Sequence, residues 1–246
     1  MLVAGALGYG LTAHLESGQP FPSAASSGNG NSGGTTPGSS APVTSGNDKD
    51  AGALAQVVVQ EKDVTSDFQV GLITNGDKVG GTTTLDLCNG TYPSESLRTA
   101  RLQVAEVDAA GDLVMSTEAV LYRNANDTNQ AFSELRSVTA QCPKQPVVSP
   151  VGETTVTTTF KGPPDRSWHT AAGVDRLAYS LTTVDTQGQK ASSIAVYMRR
   201  GRALLGVYFS DPSGAQPAID GKTSIAAIVE LFSQRLAALP ASVVNS

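Results

Sequence analysis

Apolar and polar positions follow two periods along this chain, and the changes of period mark its elements. Ala53, Leu54, Val57 and Val58 recur at helical spacing and predict a helix from about Ala51, with Asp50 as its N-cap. Phe68 to Ile73 reads as a strand, and Asn75-Gly76 is a turn pair. Thr82 to Leu87 reads as a second short strand running into Cys88, and Tyr92-Pro93 begins a turn. Alternation then becomes plain. Leu102, Val104 and Val107 mark one strand, Ala119 and Leu121 the next, and Asp108 to Asp112 forms the turn of an antiparallel hairpin.

After this hairpin the period lengthens. Ala131, Phe132, Leu135, Val138 and Thr139 fall on one face, which predicts a core-facing helix capped at Asn126 or Asp127 and stopped by Cys142-Pro143. Gly152 to Phe160 carries five Thr and little apolar pattern, as an edge strand would. Val174–Val184, Ser192–Arg200 and Ala203–Ser210 are three close-set strands with tight connections, hence a meander. Ser224 caps a last helix whose stripe is Ile225, Ile228, Val229, Phe232, Leu236 and Leu239, and Pro240 ends it. Hairpins separated by helices predict an α+β fold, an antiparallel sheet flanked by helices. No Gly-x-Gly-x-x-Gly or Walker sequence follows a strand, which disfavours doubly wound nucleotide-binding folds.

The first fifty residues have another character. Leu2 to Leu15 is apolar but, at 14 residues, shorter than the roughly 20 a spanning helix needs, and no Lys/Arg region precedes it. Residues 1–17 are expected to be the remnant of a truncated N-terminal anchor or signal. Residues 18–50, rich in Ser, Gly, Pro, Thr and Asn, are expected to be a disordered linker. The globular domain is then 51–246.

Composition narrows the function classes. The net charge is −5 and charged residues make up 16% of the chain, with no long basic block, which argues against nucleic acid as a partner. Two cysteines, Cys88 and Cys142, allow one structural disulfide, the alternative being two buried thiols. They lack the C-x-x-C spacing of zinc ribbons and thioredoxin-like motifs. With two histidines in the whole chain, no triad or metal cluster takes shape, and neither a cofactor nor a metal is expected.

The phrase Leu85-Asp-Leu-Cys88, the Tyr92-Pro93 step, the Phe132 helix ending in Cys142, the strand-rich second half and the Ile225–Leu239 helix together resemble a group of actinobacterial envelope proteins. These are related to the extracellular sensor domains of mycobacterial Ser/Thr receptor kinases. The resemblance covers roughly residues 51–240. It implies a PsbP-like α/β/α sandwich with a ligand-binding cleft, held in the cell envelope. The chain departs from the kinase sensors in carrying only two cysteines and no kinase domain.

The candidate ligand-binding residues are Trp168, His169, Tyr197, Arg199, Arg200, Arg202 and Tyr208. Trp168-His169 would form the lip of a pocket, or else anchor a loop on the sheet. Arg199-Arg200-Gly201-Arg202 is a basic hairpin tip suited to phosphate, anionic lipid or an acidic glycan, or else a solvated turn. The tyrosines flank that turn, where sheet packing alone would also account for them. The resulting expectation is a non-catalytic, extracytoplasmic ligand-binding or sensing domain, membrane-anchored through its N-terminus. Its partner would be a small molecule, a lipid or an envelope protein. The alternatives are an envelope scaffold and a secreted hydrolase using Ser or Asp.

Overall fold

The computed structural model describes residues 48–142, 147–148, 155–160, 168–184, 190–210, 219 and 223–245. The expected anchor and nearly all of the expected linker lie outside these residues. The linker's last three positions do not: Asp48–Asp50 are the first residues of helix α1 (Asp48–Val57). Asp50 is therefore inside the helix and not its N-cap. Its carboxylate pairs with Arg202 at 2.8 Å.

The sheet is antiparallel and runs β1-β2-β3-β8-β7-β6-β5-β4. Its strands are β1 (Phe68–Leu72), β2 (Arg98–Asp108), β3 (Leu113–Tyr122), β4 (Val147–Val148), β5 (Thr155–Phe160), β6 (Asp175–Val184), β7 (Lys190–Arg200) and β8 (Ala203–Ser210). The first hairpin and the late meander thus join through β3 and β8, which pair from Met115↔Phe209 to Leu121↔Ala203. The segment expected as an edge strand, β5, is flanked on both sides, by β4 and β6.

Alternation divides the side chains between two cores. Ala100, Leu102 and Val104 of β2, Met115, Ala119 and Leu121 of β3, and Leu205, Val207 and Phe209 of β8 face one side. That side is covered by α1 and by α3 (Ile225–Ala238), whose buried stripe is Ile228, Val229, Phe232 and Leu236. Ser224 caps α3 by accepting from the Ala227 amide at 3.3 Å. The opposite faces carry Val120, Tyr122, Ala195, Tyr197, Leu204 and Tyr208. They are covered by Ala131, Phe132 and Leu135 of helix α2 (Ala125–Gln141) and by Leu85, Leu87 and Tyr92 of the preceding segment. Asn124 caps α2, not Asn126 or Asp127: its side chain accepts from both of those amides, at 2.9 and 3.2 Å. The layers are helix, sheet, helix. After Pro240 the chain adds a one-turn helix, α4 (Ala241–Val244). No helix among the described residues is long and apolar enough to cross a membrane.

Thr82–Leu87 is not a strand. Its amides are used elsewhere: Thr84 and Leu85 donate to the two oxygens of the Glu95 carboxylate, at 2.8 and 3.0 Å. A segment whose donors serve a side chain cannot join a ladder, so it lies across the sheet's face. It ends in a short 3-10 turn, Leu87–Asn89, with Cys88 in the left-handed region at φ 59°. A disulfide ties Cys88 to Cys142 beyond the end of α2, with their Cα atoms 5.6 Å apart. This covering segment and α2 are thereby held together over the second core.

Candidate functional site

The α2 side of the sheet contains an unusual concentration of polar side chains for a core. Register explains their assembly. Gln103 pairs with Glu118, Glu118 with Gly206, and Gly206 with Tyr197, so these positions form one row across β2, β3, β8 and β7. The covering segment is fastened to that row. Glu118 Oε1 accepts from Arg101 Nε at 2.5 Å and from the Thr84 hydroxyl at 2.7 Å. Arg101 also donates to Gln103 Oε1 at 2.5 Å and to the Asn75 carbonyl at 3.1 Å. Arg98 donates to Thr84 Oγ1 (2.9 Å) and to the Thr82 carbonyl (2.6 Å), and it pairs with Glu95 at 3.2 Å. Both ions of the Arg101–Glu118 pair are buried, and such a pair is tolerable only when its remaining polar atoms are satisfied.

Beside this satisfied network lies an unsatisfied one. Tyr197 (0% exposed) and Tyr208 (9%) pack edge to face, ring centroids 5.7 Å apart at 82°. The absence of a side chain at Gly206 makes the arrangement fit, since a Cβ there would lie 2.5 Å from the Tyr208 hydroxyl. The two hydroxyls are close enough to affect each other's ionisation, yet neither reaches a hydrogen-bond partner in good geometry. The Tyr122 hydroxyl faces Ser94 in the same way, but Ser94 Oγ is engaged by Glu134 at 2.5 Å, and Tyr122 is left without a bond. Tyr92, in contrast, donates to the Leu87 carbonyl at 3.0 Å. Buried hydroxyls without partners in good geometry are rare in folded proteins, and three of them lie in this one layer.

Asp86 sits among them. The residue is half-buried. Burial, then the neighbouring charges of Glu118 and Glu95, push its pKa up to about 8, with Arg101 opposing weakly. Burial likewise raises Glu95, against the lowering effect of Arg98. Tyr92, Tyr197 and Tyr208 are raised well above the ordinary phenol range, first by burial and then by acidic neighbours: Asp86 for Tyr92, Tyr208 for Tyr197 and Glu118 for Tyr208. At neutral pH Asp86 therefore carries its proton, and the phenols remain un-ionised hydrogen-bonding groups.

Of the residues that the sequence singles out, only Tyr197 and Tyr208 meet here. Arg199 lies on the same side, 5.3 Å above the Phe132 ring, and is held by Asn129 and by Asp175 at 2.5 Å. Trp168 packs into the other core, on the α3 side of the sheet. Its carbonyl accepts from Arg176 at 2.7 Å, and that guanidinium lies 5.6 Å from the ring centre. His169 is exposed. Arg200 donates to the Leu236 and Leu239 carbonyls at the end of α3, at 3.2 and 2.6 Å. Arg202 is buried and bound to the Val243 and Tyr122 carbonyls and to Asp50, at 2.6, 3.2 and 2.8 Å. The turn at Gly201 is thus no solvated basic tip. It is sealed against α4, where any Cβ at Gly201 would collide with the Val244 carbonyl. The seven residues do not form one site. Sequence reading missed Asp86, Glu95, Glu118 and Tyr122. The signals available were an acid inside Leu85-Asp-Leu87 and another inside the apolar run of β3. Among the described residues no cluster of His, Cys, Asp and Glu is arranged to hold a metal.

No family model matches this chain, and no curated protein matches it. Among solved structures, the extracellular domain of PknH from Mycobacterium tuberculosis aligns with a TM-score of 0.43 and 10% identity, covering 74% of this chain and 92% of that one.

Proposed function

We propose that this chain is a non-catalytic extracytoplasmic binding or sensing domain whose small ligand occupies the space between the sheet and the Leu85–Tyr92 cover. The observation that carries this reading is the set of buried, unpartnered hydroxyls of Tyr122, Tyr197 and Tyr208 beside a network that is otherwise satisfied. The Cys88–Cys142 disulfide supports an oxidising compartment outside the cytoplasm. A membrane tether rests on the apolar Leu2–Leu15 stretch and the Ser/Gly/Pro-rich segment after it. Binding is favoured over nucleophilic chemistry because the phenols are held protonated.

The test is a thermal-shift screen of the oxidised protein against polar metabolites, with native mass spectrometry for a co-purified molecule. A ligand should stabilise the wild type and bind at least about tenfold more weakly to Tyr197→Phe/Tyr208→Phe, given the value of buried hydrogen bonds. A ligand that binds both proteins equally, or a broad screen in which nothing binds, would overturn the assignment of the site.

A further inference from the structure

We propose that the outer rim of α2 carries an oxyanion site, in which the guanidiniums of Arg136 and Arg199 hold a phosphate group. This site is separate from the layer beneath the Leu85–Tyr92 cover and does not rest on the binding reading above.

Helix geometry brings the two cations together. Asn129, Phe132 and Arg136 stand at i, i+3 and i+7 of α2 and share one stripe. A long helical side chain leans back over the turn before it, which carries Arg136 towards Phe132. Its guanidinium carbon lies 5.8 Å from the centre of that ring. Arg199 arrives from β7 and places its own guanidinium carbon 5.3 Å from the same centre. One buried ring thus carries two like charges. Each gains from the ring's quadrupole, but the two repel one another.

A single acid is paired with this couple. Asp175 of β6, opposite Arg199 in the strand register, meets it at 2.5 Å. Arg136 is exposed, and its guanidinium has no ion pair or hydrogen bond among the described residues. Its own helix supplies no acid: the positions three and four away are Ser133, Phe132, Thr139 and Ala140. One positive charge is therefore unmatched. Donors are in surplus too. Arg199 Nε is buried without an acceptor. The Asn129 side-chain oxygen accepts from Arg199, which leaves its NH2 group to serve a ligand.

A phosphate monoester suits this surplus better than a carboxylate does. Its charge of about −1.5 to −2 at neutral pH matches both guanidiniums once Asp175 yields. Asp175 is 60% exposed, so turning its carboxylate to water costs little. Guanidinium forks present paired N–H donors to phosphate oxygens. Leu177, two positions along β6 on the same face as Asp175, is half-buried and offers apolar contact to the carbon part of the ester.

The test is a titration of the isotope-labelled, oxidised full chain with glycerol 3-phosphate, read on the arginine Nε–H resonances at ionic strength held constant with sodium chloride. Saturable shifts of Arg136 and Arg199 are expected. Arg136→Gln, an exposed substitution checked for fold by circular dichroism, should weaken binding by about fivefold or more. Asp175→Asn removes the competing acid and should tighten binding by about the same factor, which a merely structural role for Asp175 would not do. Tyr197→Phe/Tyr208→Phe should leave this affinity unchanged, so that the site stands or falls apart from the one under the cover. Flotation with phosphatidic acid vesicles, against phosphatidylcholine vesicles, presents the same group on a membrane. Saturation by the soluble ester assigns a free ligand; flotation alone, lost in Arg136→Gln, assigns a lipid headgroup. Shifts that sodium chloride reproduces, affinity unchanged in Arg136→Gln or in Asp175→Asn, or failure of both probes would overturn the site.

Discussion

Glu106 offers a sharp test of how this fold treats buried charge. It lies on β2 facing the α1/α3 core, 0% exposed, opposite Met115, and neither of its carboxylate oxygens has a hydrogen-bond partner. Asp63 is its acidic neighbour, and Asp63 is already bound by Arg235 at 2.8 and 2.5 Å. Burial first, then Asp63, raise the Glu106 pKa from 4.5 to about 8. A raised carboxyl pKa means that the folded state holds the proton more tightly than the unfolded one. The associated stability is fully present below pH 4.5 and is lost as pH rises through about 8. Each pH unit in that window removes about 1.4 kcal/mol per group, on the order of 5 kcal/mol across it. Asp86 is raised to about the same value and contributes in the same direction. Glu106→Gln deletes one of these titrations and keeps the shape. Urea unfolding of the oxidised protein between about pH 5 and pH 8 should show a shallower loss of stability in the variant, by about one proton, with the variant gaining on the wild type as pH rises. Parallel pH profiles for the two proteins would refute the reasoning.

Two other perturbations probe the cover and the tyrosine layer beneath it. Reducing Cys88–Cys142, which lie 54 positions apart, should cost about 4 kcal/mol in the chain-entropy treatment, read as a lower urea midpoint; an unchanged midpoint would count against the clasp. Gly206→Ala places a Cβ 2.5 Å from the Tyr208 hydroxyl and 2.7 Å from its Cζ, so the ring must move. A loss of about 1–3 kcal/mol and an altered near-UV tyrosine signal are expected, and a variant as stable as the wild type would show that Tyr208 is not held over Gly206.

Much of the architecture was legible from period alone. The helices ending near Cys142 and Ala238, the 98–122 hairpin and the meander each bury the stripe that their spacing predicts, because burial of that stripe is what selects the element. Local pattern failed where a distant side chain intervened. Thr82–Leu87 has the composition of a strand, but Glu95 takes its amides. Arg202 reads as part of a hairpin tip because its partner, Asp50, is 152 positions away and belongs to what looked like linker. The tyrosine layer was hidden for a related reason. Tyr197 and Tyr208 stand out as aromatics, but their meeting over Gly206 depends on strand register, which leaves no mark in sequence spacing.

The contacts of Arg202 also determine where the two flanks of the domain emerge. Its guanidinium holds Asp50 of α1 and the Val243 carbonyl of α4, its amide donates to the Val244 carbonyl at 2.9 Å, and Lys49 Nζ reaches the Ser242 carbonyl at 3.2 Å. The first and last described helices therefore begin and end at one pole. A circular permutant in which a short linker joins residue 245 to residue 48 should keep every layer of the sandwich. New ends could be opened at the exposed Ala109–Ala110 turn between β2 and β3, a rearrangement suited to displaying the domain from its far side.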